Sequence, residues 1–431
     1  MTDTTIAKLG DFVGQEVRIS GWLYNKRSSG KICFLLVRDG TGLVQSVMAK
    51  SDVPETVFAL FDQLTQESSL RVTGIVKKEP RSPGGYELGL TNIEIVQIAE
   101  PYPISKKDHG VEFLHNNRHL WLRSSRQHAI MIIRNQVIWS LREFFYNRGF
   151  VLVDSPILTG AIGEESSSLF ETEYFKLGKA YLAQTGQLYL EAACMSLRNV
   201  FCFGPTFRAE KSLTRRHLTE FWMVEGEMAY CDSEESMRIQ EDMVSYIAQA
   251  VADKCGPQLE KLERDKNRLK TIVTPFPRID YGEAIKILQK QGSPVQWGSD
   301  LGAEDETILS NMHDRPGFIT NYPKKAKAFY MKENPANPET VLCADLLASE
   351  GYGEIIGGSQ REDNYDKLLS RIREEKLPEE AYGWYLDLRK YGSVPHSGFG
   401  LGIERTVTWI CGIHHIREAI PFPRLITRLY P

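Results

Sequence analysis

The chain has 431 residues, 42% hydrophobic and 25% charged, with a formal net charge of −4. At roughly 100–200 residues per domain this describes two to four globular domains and excludes a disordered or fibrous chain. No run of about 18 apolar residues occurs, so a membrane-spanning helix is excluded. The N-terminal stretch MTDTTIAKLGDFVGQE has no apolar signal core, so export is not expected and a cytoplasmic location is. The seven cysteines are odd in number and never spaced C-x-x-C. Reduced thiols are expected, not a disulfide framework or a zinc site.

In chain order, the first hundred residues read as short strands: VRISGWLY (17–24), ICFLLVRD (32–39), LVQSVMA (43–49), LRVTGIVKKE (70–79) and YELGLTNIEIVQI (86–98). They are rich in β-branched and aromatic residues, and SSGK, DGTG and RSPGG mark turns between them. VPETVFALFDQLTQESS suits a helix before the fourth strand. That order fits an OB-fold barrel over residues 1–102; an SH3-like barrel is the competing pattern.

Residues 103–125 read as a basic linker. The stretch 106–134 holds Lys106, Lys107, Arg118, Arg123, Arg126 and Arg134 against Asp108 and Glu112. It is either a solvated connector or a hinge lying along an RNA backbone. From Arg126 the pattern changes. Ile130, Ile133, Val137, Leu141 and Phe144 recur every three or four residues, predicting an amphipathic helix over 126–149. Met131, Ile132 and Ile138 lie off that stripe, and such surplus apolar surface is expected at a homodimer interface. A short strand then runs to Pro156. Segments 188–200 and 233–255 read as helices, and 200–210 with 221–230 as a hairpin. HSGFGLGIERTVTWICGI (396–413) reads as a glycine-rich strand entering an apolar helix. Hairpins in place of β-α-β units predict a second domain, 126–431, of α+β class with a mixed, mainly antiparallel sheet.

Three elements carry chemistry. GFGLGIER is not a dinucleotide loop: its glycines run G-x-G-x-G, and no P-loop motif occurs in the chain. Gly398, Gly400 and Gly402 suggest a strand closely approached by a flat ligand, with Arg405 at the strand–helix junction. In FRAEKSLTRRHLTEF (207–221), Arg208 stands between apolar neighbours, where an arginine needs a phosphate or carboxylate partner. Asp345 and Glu354 flank a glycine-containing turn and supply the oxygen ligands that magnesium requires.

Taken together and in this order, the helix and strand ending at Pro156, FRAE with RHL, and GFGLGIER resemble the three signature motifs of class II aminoacyl-tRNA synthetases. With an N-terminal OB barrel the resemblance narrows to the aspartate, asparagine and lysine subgroup. The segments GPTFRAEKSLTRRHLTEFWMVEGEM, GEIIGGSQRE, YGSVPHSGFGLGIER and IREAIPFPR are similar to those of asparaginyl-tRNA synthetases. The resemblance implies ligation of L-asparagine to tRNA(Asn) through an asparaginyl-adenylate, with ATP as substrate and Mg2+ as the metal. An aspartyl enzyme of relaxed specificity and a non-catalytic RNA-binding relative are the alternatives.

The resemblance further implies roles for single residues. Arg208 would hold the α-phosphate and the amino-acid carboxylate. Glu210 would accept from the adenine amino group, with Arg216, His217 and Leu218 along the nucleotide. Arg405 would meet the γ-phosphate or the purine, beside Gly402, Ile403 and Glu404. Glu354 would ligate magnesium with Asp345. Glu164 and Gln187 would receive the α-ammonium, and Arg361 the side-chain oxygen. Ser168 stands where the family usually has an acid.

Glu191 is expected to decide specificity, in place of the lysine that resembling aspartyl enzymes carry. It would accept from the asparagine NH2 and repel aspartate by roughly 4 kcal/mol at about 4 Å and an effective dielectric near 20. In the barrel, Phe34 and Gln45 lie on consecutive strands, where alternation can bring both to one face. The subgroup uses such a pair for the central anticodon uridine, with Arg27 and Lys26 for adjoining phosphates.

Overall fold

The computed structural model describes residues 2–105, 107–160, 163 and 168–431. It divides into two compact units, Met1–Gly110 and Val111–Pro431.

The first unit is a closed barrel of five strands, β1 (Glu16–Ser29), β2 (Ile32–Arg38), β3 (Leu43–Ala49), β4 (Ser69–Lys78) and β5 (Tyr86–Gln97). The order is β1-β2-β3-β5-β4, and β4 pairs back onto β1. The β3–β5 pairing is parallel and the others are antiparallel. Alternation builds the core: Cys33, Leu35 and Val37 of β2 point inward with Val44 and Met48 of β3, and Val17, Ile19, Val72 and Leu88 join them. Glu55–Phe58 and Leu60–Gln63 form the helix expected before β4, in two short pieces.

The second unit begins earlier than the sequence suggests. Val111–Asn116 and Arg118–Trp121 are helical and belong to it. Arg118, only 1% exposed, anchors the segment. It donates to the carbonyls of Pro421 (2.7 Å) and Ile420 (2.8 Å) and to Gln127 Oε1 (2.7 Å). Arg134 likewise donates to Ala419 O at 3.0 Å and pairs with Glu404 at 2.7 Å, and Arg126 pairs with Glu418 at 3.0 Å. These cations stitch residues 418–421 to the helices, so Arg118 and Arg134 are not free to lie along an RNA backbone. Lys106 lies outside the described residues.

The long helix α1 (Ser125–Asn147) starts at Ser124, whose hydroxyl accepts from the Gln127 amide. It then packs against the second long helix, Ser233–Lys254, over one face of the sheet. That sheet has eight strands. From one edge they are Arg278–Asp280, Gly317–Thr320, Cys343–Ala348, Gly353–Gln360, His396–Gly402, Glu220–Ala229, Asn199–Phe207 and Val151–Leu152. Only the two edge pairings are parallel. Alternation again divides the faces. Val224 and Met228, with Phe399 and Leu401, enter the helix-covered core, while Met223, Glu225 and Glu227 face the other side. Of the three apolar residues off the helix stripe, Met131 and Ile138 are partly buried and pack on this core, whereas Ile132 is not among the residues packed there.

Candidate active site

The open face of the sheet floors a cavity of about 690 Å3. Three charged groups of residues line it.

Glu227 and Arg361 face each other. Arg361 donates from Nε and Nη2 to the two carboxylate oxygens of Glu227, both at 2.9 Å, and from Nη1 to Ser359 Oγ at 2.7 Å. Side-chain exposure is 4% for Arg361 and 1% for Glu227. Burial raises the Glu227 pKa, and Arg361 pulls the other way. Gly398 makes room for this carboxylate: a Cβ there would sit 1.8 Å from Glu227 Oε2. The glycine expected to admit a flat ligand therefore admits a side chain of the neighbouring strand.

Arg208 stands immediately after the strand Asn199–Phe207 and is held by its amide to Thr219 O at 3.0 Å. Its guanidinium lies 5.5 Å from the Phe221 ring centroid. Its Nε is buried and meets no hydrogen-bond partner among the described residues. A buried cationic donor without an acceptor costs about 1–3 kcal/mol or more, which an anionic ligand would remove.

Asp345 and Glu354 converge. A Cβ on Gly357 would lie 3.0 Å from Glu354 Oε1 and 3.7 Å from Asp345 Oδ1. Lys327 Nζ is 2.7 Å from Asp345 Oδ2, and Arg405 Nη1 is 2.8 Å from Glu354 Oε2. Burial and the nearby Glu354 raise the Asp345 pKa to about 6 against the pull of Lys327. Burial also disfavours charge on Glu354, but Arg405 and Lys327 outweigh it and hold its pKa below the ordinary value. Two hard carboxylates sharing one glycine-cleared space fit a magnesium ion.

Of the residues expected here, Gln187, Arg208, Glu210, Arg216, His217, Leu218, Asp345, Glu354, Arg361, Gly402, Glu404 and Arg405 line the cavity. Glu164 lies outside the described residues. Arg216 is committed to Ala303 O (3.0 Å), Glu306 (3.1 Å) and Gly351 O (2.6 Å). Glu404 accepts from the Trp222 amide at 3.0 Å and pairs with Arg134, a structural engagement. Ile403 does not line the cavity: it is the first residue of the helix Ile403–Cys411 and packs into the core, 0% exposed.

Glu191 requires the larger correction. It is fully buried and is not a wall of the cavity. Its Oε1 accepts from Tyr385 OH (2.7 Å) and Gln187 Nε2 (3.0 Å), and its Oε2 from Arg389 Nη2 (2.6 Å) and His396 Nε2 (3.0 Å). Four donors use the roughly four acceptor sites of a carboxylate, so none is left for a substrate amide. Glu191 therefore cannot read the substrate directly. The acid that faces the cavity beside Arg361 is Glu227, which the sequence reading missed. Its signal was present in WMVEGEMA: Glu225 and Glu227, two apart, share one face of an otherwise apolar strand.

In the barrel, Phe34, Gln45 and Arg27 do meet on one outward face. Phe34 pairs with Arg27 and Val47, and Gln45 with Leu36. The Arg27 guanidinium lies 4.0 Å from the Phe34 ring centroid and donates to Gln45 Oε1 at 3.3 Å. Lys26 instead donates to Phe61 O at 2.6 Å.

Residues 110–426 match the sequence profile of the tRNA synthetases class II (D, K and N), and residues 17–96 that of the OB-fold nucleic acid binding domain. The chain is 57% identical over its full 431 residues to the asparagine–tRNA ligase of Pelotomaculum thermopropionicum, covering 100% of both. The chain belongs to the asparagine–tRNA ligases, within class II. The fold agrees. Asparaginyl-tRNA synthetase from Pyrococcus horikoshii, solved with asparaginyl-adenylate, superimposes with a TM-score of 0.94 at 48% identity, over 98% of this chain and 97% of that one. The Entamoeba histolytica asparaginyl-tRNA synthetase, also with asparaginyl-adenylate, gives 0.90 at 32% identity, over 100% and 99%. Among the described residues no helix is long and apolar enough to cross a membrane.

Proposed function

We propose that this cavity joins L-asparagine to ATP and passes the asparaginyl group to tRNA(Asn). The observation that carries the reading is the position of Arg208. Its guanidinium, with Nε unsatisfied, lines the same cavity as a carboxylate–arginine pair suited to a carboxamide and an acidic pair suited to a phosphate-bound cation. A carboxamide offers an NH2 donor and a carbonyl acceptor. Glu227 supplies the acceptor for the first and Arg361 a donor for the second, and the two are fixed against each other by their paired hydrogen bonds. An aspartate carboxylate in the same place would meet the Glu227 carboxylate.

The asparagine α-carboxylate oxygen attacks the α-phosphorus of ATP. A carboxyl-O–P bond forms, the bond from that phosphorus to the β-bridging oxygen breaks, and pyrophosphate leaves. The terminal ribose hydroxyl of the tRNA then attacks the activated carbonyl carbon and releases AMP. No protein nucleophile is needed. Arg208 offers positive charge at the carboxylate and α-phosphate, and Arg405 offers it further along the polyphosphate. Gln187 offers an acceptor to the α-ammonium. Asp345 and Glu354 would hold Mg2+, which supplies charge neutralisation on the polyphosphate.

In the barrel, Phe34 would stack on a single-stranded base while Gln45 and Arg27 reach its edge and phosphate. The exposed apolar residues Val151, Leu152, Ile157 and Leu158 would be covered in a homodimer, because they lie at and just beyond the edge strand of the large sheet. Seven cysteines, all free and buried, fit a reducing compartment such as the cytoplasm. The test is charging of tRNA(Asn) transcripts with labelled asparagine. Charging is expected with the intact transcript and is expected to fall by at least about tenfold, the loss of about 1.4 kcal/mol, when the central anticodon uridine is replaced. Equal charging of both transcripts would refute the barrel's part, and no charging of either would refute the reading.

A further inference from the structure

Behind the cavity wall lies a charged cluster with no surface of its own. Glu191, Arg389 and His396 have side-chain exposures of 0%. The side-chain ligand atoms of Glu191, Glu227 and His396 all fall within 4.8 Å of one another. Burying ionic groups so completely is costly, and replacing such clusters with apolar residues often stabilises a fold. Among the described hydrogen-bond partners of Glu191, Gln187 is the one that lines the cavity, 6% exposed.

We propose that Glu191 is a positioning residue: it fixes the Gln187 amide so that only its carbonyl oxygen is offered to the cavity, as the acceptor for the substrate α-ammonium. A glutamine amide has two faces of opposite polarity and similar size. Left alone, it could present NH2 to the cavity and repel a cation. Glu191 removes that freedom. Gln187 Nε2 lies 3.0 Å from Glu191 Oε1, and the flipped amide would set oxygen against oxygen. Burial works against charge on Glu191, but Arg389 and His396 outweigh it and keep the carboxylate ionised, hence acceptor-only. The other end of Gln187 is fixed as well, its backbone amide donating to Thr185 Oγ1 at 3.0 Å. The network also reaches the amide-reading end, since the Arg361 backbone amide donates to the His396 carbonyl at 2.9 Å.

The proposal rests on the asparagine reading of the cavity, and the test separates the two. Binding of L-asparagine is compared with binding of succinamic acid, which is asparagine without its α-amino group. The measured quantity is the ratio of the two affinities, in wild type, Gln187→Met, Glu191→Gln and the double variant. One charge-assisted hydrogen bond is worth about a tenfold change or more. Gln187→Met is expected to lower the ratio by at least about that factor. Glu191→Gln should lower it comparably, with succinamic acid affinity and the KM for ATP unchanged. The double variant should be no lower than Gln187→Met alone.

A ratio that falls in Gln187→Met but not in Glu191→Gln would overturn the proposal and leave the asparagine reading standing. A ratio unmoved in both would remove the ammonium contact itself, and the proposal with it. Equal weakening of both ligands in Glu191→Gln would mean a purely structural role and would also overturn it. If Glu191→Gln does not fold, the wild-type Gln187 side-chain NH2 resonances are assigned by their loss in Gln187→Met. Strong protection from solvent exchange before substrate is added supports the proposal, and rapid exchange overturns it.

Discussion

Replacing Glu227 by glutamine keeps the side chain's volume and removes one negative charge from a pair that is almost fully enclosed. In the native pair both forks of Arg361 are occupied at 2.9 Å. Two effects follow. The asparagine NH2 loses a charged acceptor, worth about 1.5–3 kcal/mol, or roughly 10–150-fold in kcat/KM. Arg361 also loses its counter-charge and is left to attract an aspartate carboxylate. At about 4 Å and an effective dielectric near 20, the charge that had opposed aspartate was worth roughly 4 kcal/mol. Even with much of that screened, the asparagine-to-aspartate ratio should fall by at least about a hundredfold, some 2.8 kcal/mol. Pyrophosphate exchange with each amino acid measures both constants, and the KM for ATP serves as the internal control. Glu227→Ala is the poorer probe, because stranding buried Arg361 costs about 3–5 kcal/mol of stability. A folded Glu227→Gln variant with an unchanged ratio would show that discrimination lies elsewhere.

Gly398→Ala would place a methyl carbon 1.8 Å from Glu227 Oε2 and 2.5 Å from the Gly226 carbonyl. The carboxylate must move, so the KM for asparagine should rise at least about tenfold with ATP affinity retained, measured by exchange kinetics and ATP titration. Phe34→Ala should weaken tRNA charging by about 1–3 kcal/mol, the worth of one base stack, while pyrophosphate exchange stays intact. An equal loss in both assays would make Phe34 a structural residue. His115 is buried, with both ring nitrogens lacking a hydrogen-bond partner among the described residues. Burial, reinforced by Arg118 and Arg417, depresses its pKa to about 3. The folded state therefore binds fewer protons than the unfolded one, so stability present above about pH 6.5 is lost as the pH falls towards 3. Urea midpoints between pH 7 and 4.5 should decline less steeply in His115→Phe than in wild type.

What the sequence revealed and what it concealed differ in physical kind. The barrel strands were legible because inward and outward residues alternate, and Phe34 and Gln45 came to one face for that same reason. Arg208 was legible because an arginine between apolar neighbours calls for an anion, whereas Glu354 and Arg405 were placed by the resemblance of their segments to the class II motifs. Glu227 was hidden because its meaning depends on Arg361, 134 residues later in the chain, and on the space cleared by Gly398 on an adjacent strand. Glu191 misled for the converse reason. It sits four residues after Gln187, on a helix whose first residue lines the cavity, yet Tyr385, Arg389 and His396 arrive from much later in the chain and consume its acceptors. In the basic stretch 106–134, too, a count of charges does not show that Arg118 and Arg134 are spent on carbonyls near residue 420.

ATP–pyrophosphate exchange with each of the twenty amino acids in turn, magnesium present, tests the central claim most directly. L-asparagine alone should drive rapid exchange, with aspartate slower by at least about a hundredfold, or some 2.8 kcal/mol. Exchange with aspartate at a comparable rate would contradict the assignment of Glu227 and Arg361 as the amide-reading pair, and no exchange with asparagine would contradict the account as a whole.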